Sequence, residues 1–218
     1  MTPVRDGMDF RRVQMVQAIR DGGVRDERVL EALGEVPRHL FVPEAFRLQA
    51  YEPDVSLNIG DGQTISQARI VAIMTEAARV DPDSQVLEIG TGSGYQAAIL
   101  ARLARFVFSV ERIPSLARTA KAVLDDLGYD NVSVKVMDGT FGWRAQGPYG
   151  AIVVTAGAPE VPQPLLGQLA EGGRLVVPVG SRKTQTLRVV ERRGDQFREI
   201  ILENASFVPL VGRHGWEA

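Results

Sequence analysis

The sequence predicts an α/β protein with a doubly wound, mixed sheet, and three features of its second half carry that expectation. From Gln85 onward, short apolar runs alternate with amphipathic stretches, the pattern of parallel strands joined by crossover helices. The first run enters a glycine loop. The last two, 186–191 and 197–202, flank Gly194-Asp195 and read as a hairpin, so antiparallel strands should finish the sheet.

Taken in order, residues 9–19 put Val13, Val16 and Ile19 at helical spacing, and Gly22-Gly23 stops the run. Asp26 can cap a second helix that carries Val29, Leu30 and Leu33 before Pro37. Residues 38–51 are broken by Pro43 and give no clear element, and 58–63 read as loop. Ser66 precedes Ile70, Val71, Ile73, Met74 and Ala77, an apolar helical face that ends before Pro82. The alternating part follows: strand 86–89, helix 96–103, strand 106–110 ending in Glu111, and a helix from Pro114 to Leu127 closed by Gly128. Strands at 132–136 and 151–155, a helix at 165–169 and a strand at 174–179 complete it. One domain is expected, with an N-terminal helical extension (1–80), an α/β core (84–180) and C-terminal strands (181–218).

Composition narrows the chemistry. The 218 residues carry 25 Lys+Arg against 27 Asp+Glu, a net charge of −2, which disfavours a nucleic-acid partner held through phosphates. Of the basic residues 22 are Arg and 3 Lys, read as a genome-composition bias. There is no cysteine, so disulfides, thiolate catalysis and Cys-ligated metals are excluded. His39 and His214 are the only histidines, without metal-ligand spacing, and are read as surface or packing residues. No apolar run is long enough to span a membrane, and the first ten residues lack the apolar segment of a secretory leader. A cytoplasmic monomer without metal or membrane partner is expected.

The motif with the most chemistry is Val86-Leu87-Glu88-Ile89-Gly90-Thr91-Gly92-Ser93-Gly94-Tyr95. A strand running into G-x-G-x-G lets a ligand approach backbone without a Cβ in the way, at the strand ends where doubly wound sheets bind ligands. The dinucleotide fingerprint is G-x-G-x-x-G; here the third glycine comes one residue early, and Glu88 precedes the first glycine by two. A carboxylate there is a poor neighbour for pyrophosphate and suits a donor with ammonium and sulfonium groups, S-adenosylmethionine. Glu111, 21 residues after Gly90, is placed for the ribose hydroxyls, and Asp138-Gly139 for the adenine. The fold is therefore read as a Rossmann-like methyltransferase fold.

Upstream stands Gly60-Asp61-Gly62-Gln63-Thr64-Ile65-Ser66-Gln67. With Val36-Pro37-Arg38, the segments 110–113, 127–132, 138–143, 154–162 and 172–180, and the glycine loop, it closely resembles the protein-L-isoaspartate O-methyltransferases over nearly the whole chain. The resemblance implies methyl transfer from S-adenosylmethionine to the free α-carboxylate of L-isoaspartyl residues in damaged proteins, and to D-aspartyl β-carboxylates; the ester then collapses to a succinimide. It implies Ser66 as the active-site serine and Thr64, Ile65 and Val211 as substrate contacts, Val211 through its backbone. Gln67, the glycine loop (Glu88, Ile89, Gly90, Thr91, Gly92, Ser93, Gly94), Glu111, Arg112, Asp138 and Gly139 are implied to hold the cofactor, and residues 67–71 to line its side.

The chemistry fits the composition. A carboxylate is already ionised at neutral pH, so no general base is needed; positioning and exclusion of water are what remain. From position alone Ser66 reads as a helix cap, with the amides of 64–67 forming an anion site. Two departures stand out: Ala68-Arg69 replaces a Pro-Tyr-like pair, with Arg69 expected to face solvent, and Gly150 replaces an acid before the fourth strand. Rival readings are another methyltransferase on this fold, acting on a precursor peptide or tRNA, and a non-catalytic cofactor binder.

Overall fold

The structure, a computed structural model, describes residues 7–217. α1 (Asp9–Asp21), α2 (Glu27–Glu35), a hairpin of β1 (Leu57–Gly60) and β2 (Gln63–Ile65), and α3 (Ala68–Ala78) come first. Then follow β3 (Gln85–Ile89), α4 (Tyr95–Ala101), β4 (Phe106–Glu111), α5 (Pro114–Asp126), β5 (Val132–Val136), β6 (Tyr149–Val154), α6 (Gln163–Leu166), β7 (Leu169–Gly180), β8 (Gln185–Arg193) and β9 (Gln196–Ala205). The seven-stranded sheet has the order β5-β4-β3-β6-β7-β8-β9. Strands β3 to β7 are parallel, while β8 and β9 are antiparallel, so the mixed doubly wound sheet is present. The chain winds outward from β3 to β5 and then returns to β6 on the other side. A crevice over the carboxyl ends of β3, β4 and β6 follows from that reversal.

Alternation along β3 divides the core. Val86 packs into one apolar cluster with Met15, Leu33, Met74 and Ile99 from the helices, whereas Leu87 and Ile89 join a second with Ile152, Leu165 and Leu175. The N-terminal helices therefore share a core with the sheet instead of sitting beside it. Asp26 caps α2 by accepting from the amide of Arg28 at 3.0 Å, a contact type worth about 1 kcal/mol.

Three expectations need correction. The buried stripe of α1 is Arg12, Met15 and Ile19, and Val13 is 65% exposed. Apolar spacing misled because Arg12 is buried whole, its guanidinium paired with Asp9, and takes a core position on the helix. Residues 58–63 are not loop: β1 pairs antiparallel with β2, and Asp61 and Gly62 both have positive φ (51° and 69°), as a two-residue hairpin turn requires. The helix placed at 165–169 stops at Leu166, and Leu169 already opens β7 opposite Tyr149. Gly167 ends the short helix, and the carbonyl of Gln168 accepts from the Tyr149 amide at 2.8 Å.

Candidate active site

The turn after β3 forms one wall of a cleft over the carboxyl ends of the strands, the crevice in which sheets of this kind bind ligands. Gly90 leaves the sheet between its neighbours: its amide donates to the Val110 carbonyl at 2.8 Å, and Thr155 N donates to the Ile89 carbonyl at 2.9 Å. Its φ of +98° and the Thr155 hydroxyl, which a Cβ would overlap, leave room for glycine alone. Gly92 has φ +51°, and its amide donates to Glu111 Oε2 at 2.9 Å. Glu111 Oε1 accepts from the Ile113 amide at 2.9 Å. The acid ending β4 thus ties the glycine turn to the next connection, and its oxygens keep lone pairs for a ligand.

Glu88 is placed differently from expectation. It does not line the cleft; it is fully buried behind the turn. Ser109 Oγ donates to Glu88 Oε2 and lies 2.5 Å from Thr91 Oγ1. Burial pushes the Glu88 carboxyl up to about 8, Ser109 opposes the rise, and the charge of Glu111 adds to it. At neutral pH Glu88 is therefore mainly protonated and offers a donor no negative charge; the acid facing the cleft is Glu111.

The Glu88 shift has a consequence for stability. The folded state holds this proton more tightly than the unfolded chain, whose value is near 4.5. The stabilisation is fully present below the unfolded value and is lost as pH rises to the folded one. Glu88→Gln lacks that dependence. Urea unfolding of both proteins is expected to show the wild type losing on the order of 2–4 kcal/mol relative to the variant between about pH 5 and 8. A difference constant with pH would mean that Glu88 is ionised in the fold.

The opposite wall comes from the hairpin and the start of α3. Gln63, Thr64, Ile65 and Ser66 line the cleft, with Val71 beyond them. Ser66 is not a cap: the N-cap of α3 is Gln67, without a side-chain cap bond, because β2 ends one residue earlier and Ser66 stays in the link. Two residues past the cap, Arg69 N donates to the Pro53 carbonyl at 3.0 Å and fixes the start of α3 to the preceding loop. Among the described residues the Ser66 hydroxyl has no hydrogen-bond partner, while its carbonyl accepts from Arg38 Nη2 at 2.6 Å. Arg69 is no solvent-facing bystander: it bonds Asp54 at 2.8 Å and Glu203 at 2.8 Å, tying α3 to the preceding loop and to β9.

The roof is the C-terminal segment, with Val208, Pro209, Leu210 and Val211. The Leu210 carbonyl accepts from Trp216 N, and Gly212 N donates to the Trp216 carbonyl, which leaves the N–H and C=O of Val211 for a ligand. Asp138 belongs to this roof and does not line the cleft. Its carboxylate accepts from Arg213 N at 2.8 Å and from the amide and hydroxyl of Thr140. Burial would raise its carboxyl, but the Arg213 amide and Thr140 outweigh that and hold it below the ordinary value. The half-buried Asp138 is thus a latch for the tail, and Gly139 is the member of that pair on the cleft wall.

Of the predicted cofactor residues, Ile89, Gly90, Thr91, Gly92, Ser93, Glu111, Arg112 and Gly139 meet Thr64, Ile65, Ser66 and Val211 around one cavity. Gln67 lines a smaller adjoining cavity. Gly94 lies off the wall as the N-cap of α4, with φ +89°, where a Cβ would press on Ala120 and Leu124. Sequence reasoning missed Thr155, whose hydroxyl donates to the Gly90 carbonyl at 2.5 Å, and Gln96 on α4; both line the cleft. His39 is buried, with Nδ1 2.7 Å from the Tyr51 hydroxyl, and His214 packs edge-on to Phe141.

A doubly wound sheet of this kind, with an open glycine turn and an acid ending β4 on one cleft, is built to hold a nucleoside-containing cofactor, and the family to which the chain belongs makes that cofactor S-adenosylmethionine. Residues 11–215 match the family model described as Protein-L-isoaspartate(D-aspartate) O-methyltransferase (PCMT). The chain belongs to that family, whose members are S-adenosylmethionine-dependent protein-repair methyltransferases. A Syntrophobacter fumaroxidans protein-L-isoaspartate O-methyltransferase is 56% identical over 89% of this chain and 91% of its own. One from Methanoregula boonei is 52% identical over 100% of both chains. A solved structure of a protein-L-isoaspartate O-methyltransferase superposes with TM-score 0.85 at 31% identity, covering 94% of this chain and 67% of that one.

Proposed function

We propose that the cleft brings the methyl donor and an isoaspartyl carboxylate together, with the glycine turn and Glu111 on the donor side and Ser66 on the acceptor side. The single observation that carries this is the shared cavity. The turn after β3, the acid of β4, the hairpin end at Ser66 and the backbone of Val211 all open onto it. S-adenosylmethionine suits the donor side: backbone and hydroxyls line it, Gly92 leaves backbone open, and Glu111 can accept from a ribose. When bound, it supplies an electrophilic methyl group on a sulfonium.

The protein's own residues then position and dry the reactants. The Ser66 hydroxyl donates to one oxygen of the acceptor carboxylate and aims the other at the donor side. Thr64, Ile65 and the free backbone groups of Val211 hold the peptide, the latter by strand-like hydrogen bonds. Val208–Val211 cover the cleft and exclude water. A D-aspartyl β-carboxylate presents the same nucleophile and is accepted likewise. No side chain takes a proton, in keeping with a cleft that contains neither cysteine nor histidine.

The apolar cluster joining α1–α4 to the sheet supports one folding unit with segments 1–80, 84–180 and 181–218. Composition alone supports a cytoplasmic setting; no helix among the described residues is long and apolar enough to cross a membrane. The test is labelling from methyl-labelled cofactor of an isoaspartyl peptide and its ordinary aspartyl twin. Base-labile label on the first and essentially none on the second is expected. Equal labelling, or none, would defeat the assignment.

A further inference from the structure

We propose that Arg38 is the positioning residue of the acceptor wall, holding the Ser66 peptide so that its hydroxyl faces the substrate; this rests on the acceptor role given to Ser66 above. Arg38 is fully buried. Its Nε donates to the Ala50 carbonyl at 2.7 Å and its Nη2 to the Ser66 carbonyl at 2.6 Å. Its guanidinium carbon lies 4.6 Å from the centroid of the Tyr95 ring, and Tyr95 itself lines the cleft. None of the ion pairs among the described residues includes Arg38.

A buried cation without a carboxylate is costly, and burial lowers the pKa of this guanidinium. An apolar side chain of similar volume would fill the space at less cost. What only a guanidinium delivers here is geometry: a rigid planar fork that reaches two carbonyls at once while its charge lies over an aromatic ring. The need is local. Ser66 sits between the end of β2 and the N-cap of α3, outside both elements, and its hydroxyl has no partner of its own among the described residues. Fixing its carbonyl fixes the peptide plane that follows it, and with it the direction of the Ser66 side chain. Tyr95 is the first residue of α4, directly after the glycine turn. The stack therefore sets the acceptor wall in register with the donor wall.

The experiment compares wild type, Arg38→Lys and Arg38→Ala on an isoaspartyl peptide, with S-adenosylhomocysteine affinity measured by calorimetry and folding by circular dichroism. Arg38→Lys keeps the charge but offers a point donor in place of the fork. Its kcat is expected to fall about tenfold to a hundredfold, the scale of a misplaced positioning group, while S-adenosylhomocysteine affinity stays within about twofold. Guanidinium ion at sub-denaturing concentration should restore part of the lost kcat to Arg38→Ala and none to Arg38→Lys. Unchanged kcat in a folded variant overturns the proposal, as does a parallel fall in S-adenosylhomocysteine affinity. Unfolding of both variants would reduce Arg38 to a stability role and overturn it equally. A wild type silent on the isoaspartyl peptide would instead count against the activity itself, so the two failures are distinguishable.

Discussion

Ser66→Ala is expected to lower kcat toward an isoaspartyl peptide by about tenfold to a hundredfold, with S-adenosylhomocysteine affinity and thermal midpoint close to wild type. On the proposed function the hydroxyl donates to the acceptor carboxylate; it has no hydrogen-bond partner within the described fold, so its removal breaks no structural bond. It is not the cap of α3, since Gln67 holds that place, and the loss of about 1 kcal/mol that accompanies removal of a capping hydroxyl should not appear. The Ser66 carbonyl, which anchors the segment through Arg38, survives the substitution. Single-turnover methylation with saturating cofactor reads the chemical step, and calorimetry reads the donor side. If the variant transferred methyl at the wild-type rate, the acceptor anion would have to be held by backbone groups alone.

How much of this was legible without coordinates follows from where local rules and tertiary rules agree. The core of β3, β4 and α5 could be read off closely because apolar runs, Pro114 at the helix start and Gly128 after its end all point the same way. The first half was harder. The hairpin of β1 and β2 has strands of four and three residues, too short for the alternation Leu57-Asn58-Ile59 to stand out from a loop. Asp61-Gly62 was the available signal. Ser115 Oγ donates to Asp61 Oδ2 at 2.7 Å, which fastens that turn to the start of α5. Such a contact joins residues 54 apart and has no periodic trace.

The site divides in the same way. Residues whose role rests on backbone conformation, Gly90 and Gly92, were visible because glycine at a strand end has few other uses. Carboxylates were ambiguous. Glu88, Glu111 and Asp138 all lie in, at the end of or just after a strand of the core, yet only Glu111 faces the cleft. Glu88 sits within β3 and points into the packed face behind the turn, while Asp138 is turned outward onto the tail. Sequence spacing places an acid near a crevice; side-chain direction decides whether it enters. Arg69 looked like a surface charge and Arg38 carried no reading of its own, and both proved to be ties between segments far apart in the chain.

Glu111→Ala is expected to act on the opposite wall. It removes the acceptor for the amides of Gly92 and Ile113, and the cleft loses its facing carboxylate. Hydrogen bonds to charged groups contribute about 1.5–3 kcal/mol each, and part of that loss is relieved because the freed turn can reach water. A fall in S-adenosylhomocysteine affinity of roughly thirtyfold to a thousandfold follows, on the order of 2–4 kcal/mol. With cofactor at saturation, kcat should recover most of its value, since Ser66 and its wall are untouched. Glu111→Gln keeps one carbonyl oxygen and can hold one of the two amides, so its loss should be intermediate. Hydrogen exchange at Gly92 separates the two ways Glu111 can act. If the acid orders the turn before ligand arrives, Gly92 exchanges faster in ligand-free Glu111→Ala than in wild type. If it serves only as a ribose acceptor, affinity falls while exchange at Gly92 is unchanged. Unaltered affinity would remove Glu111 from the donor site altogether, and the glycine turn would then have to stand by its own backbone bonds to Val110 and Thr155.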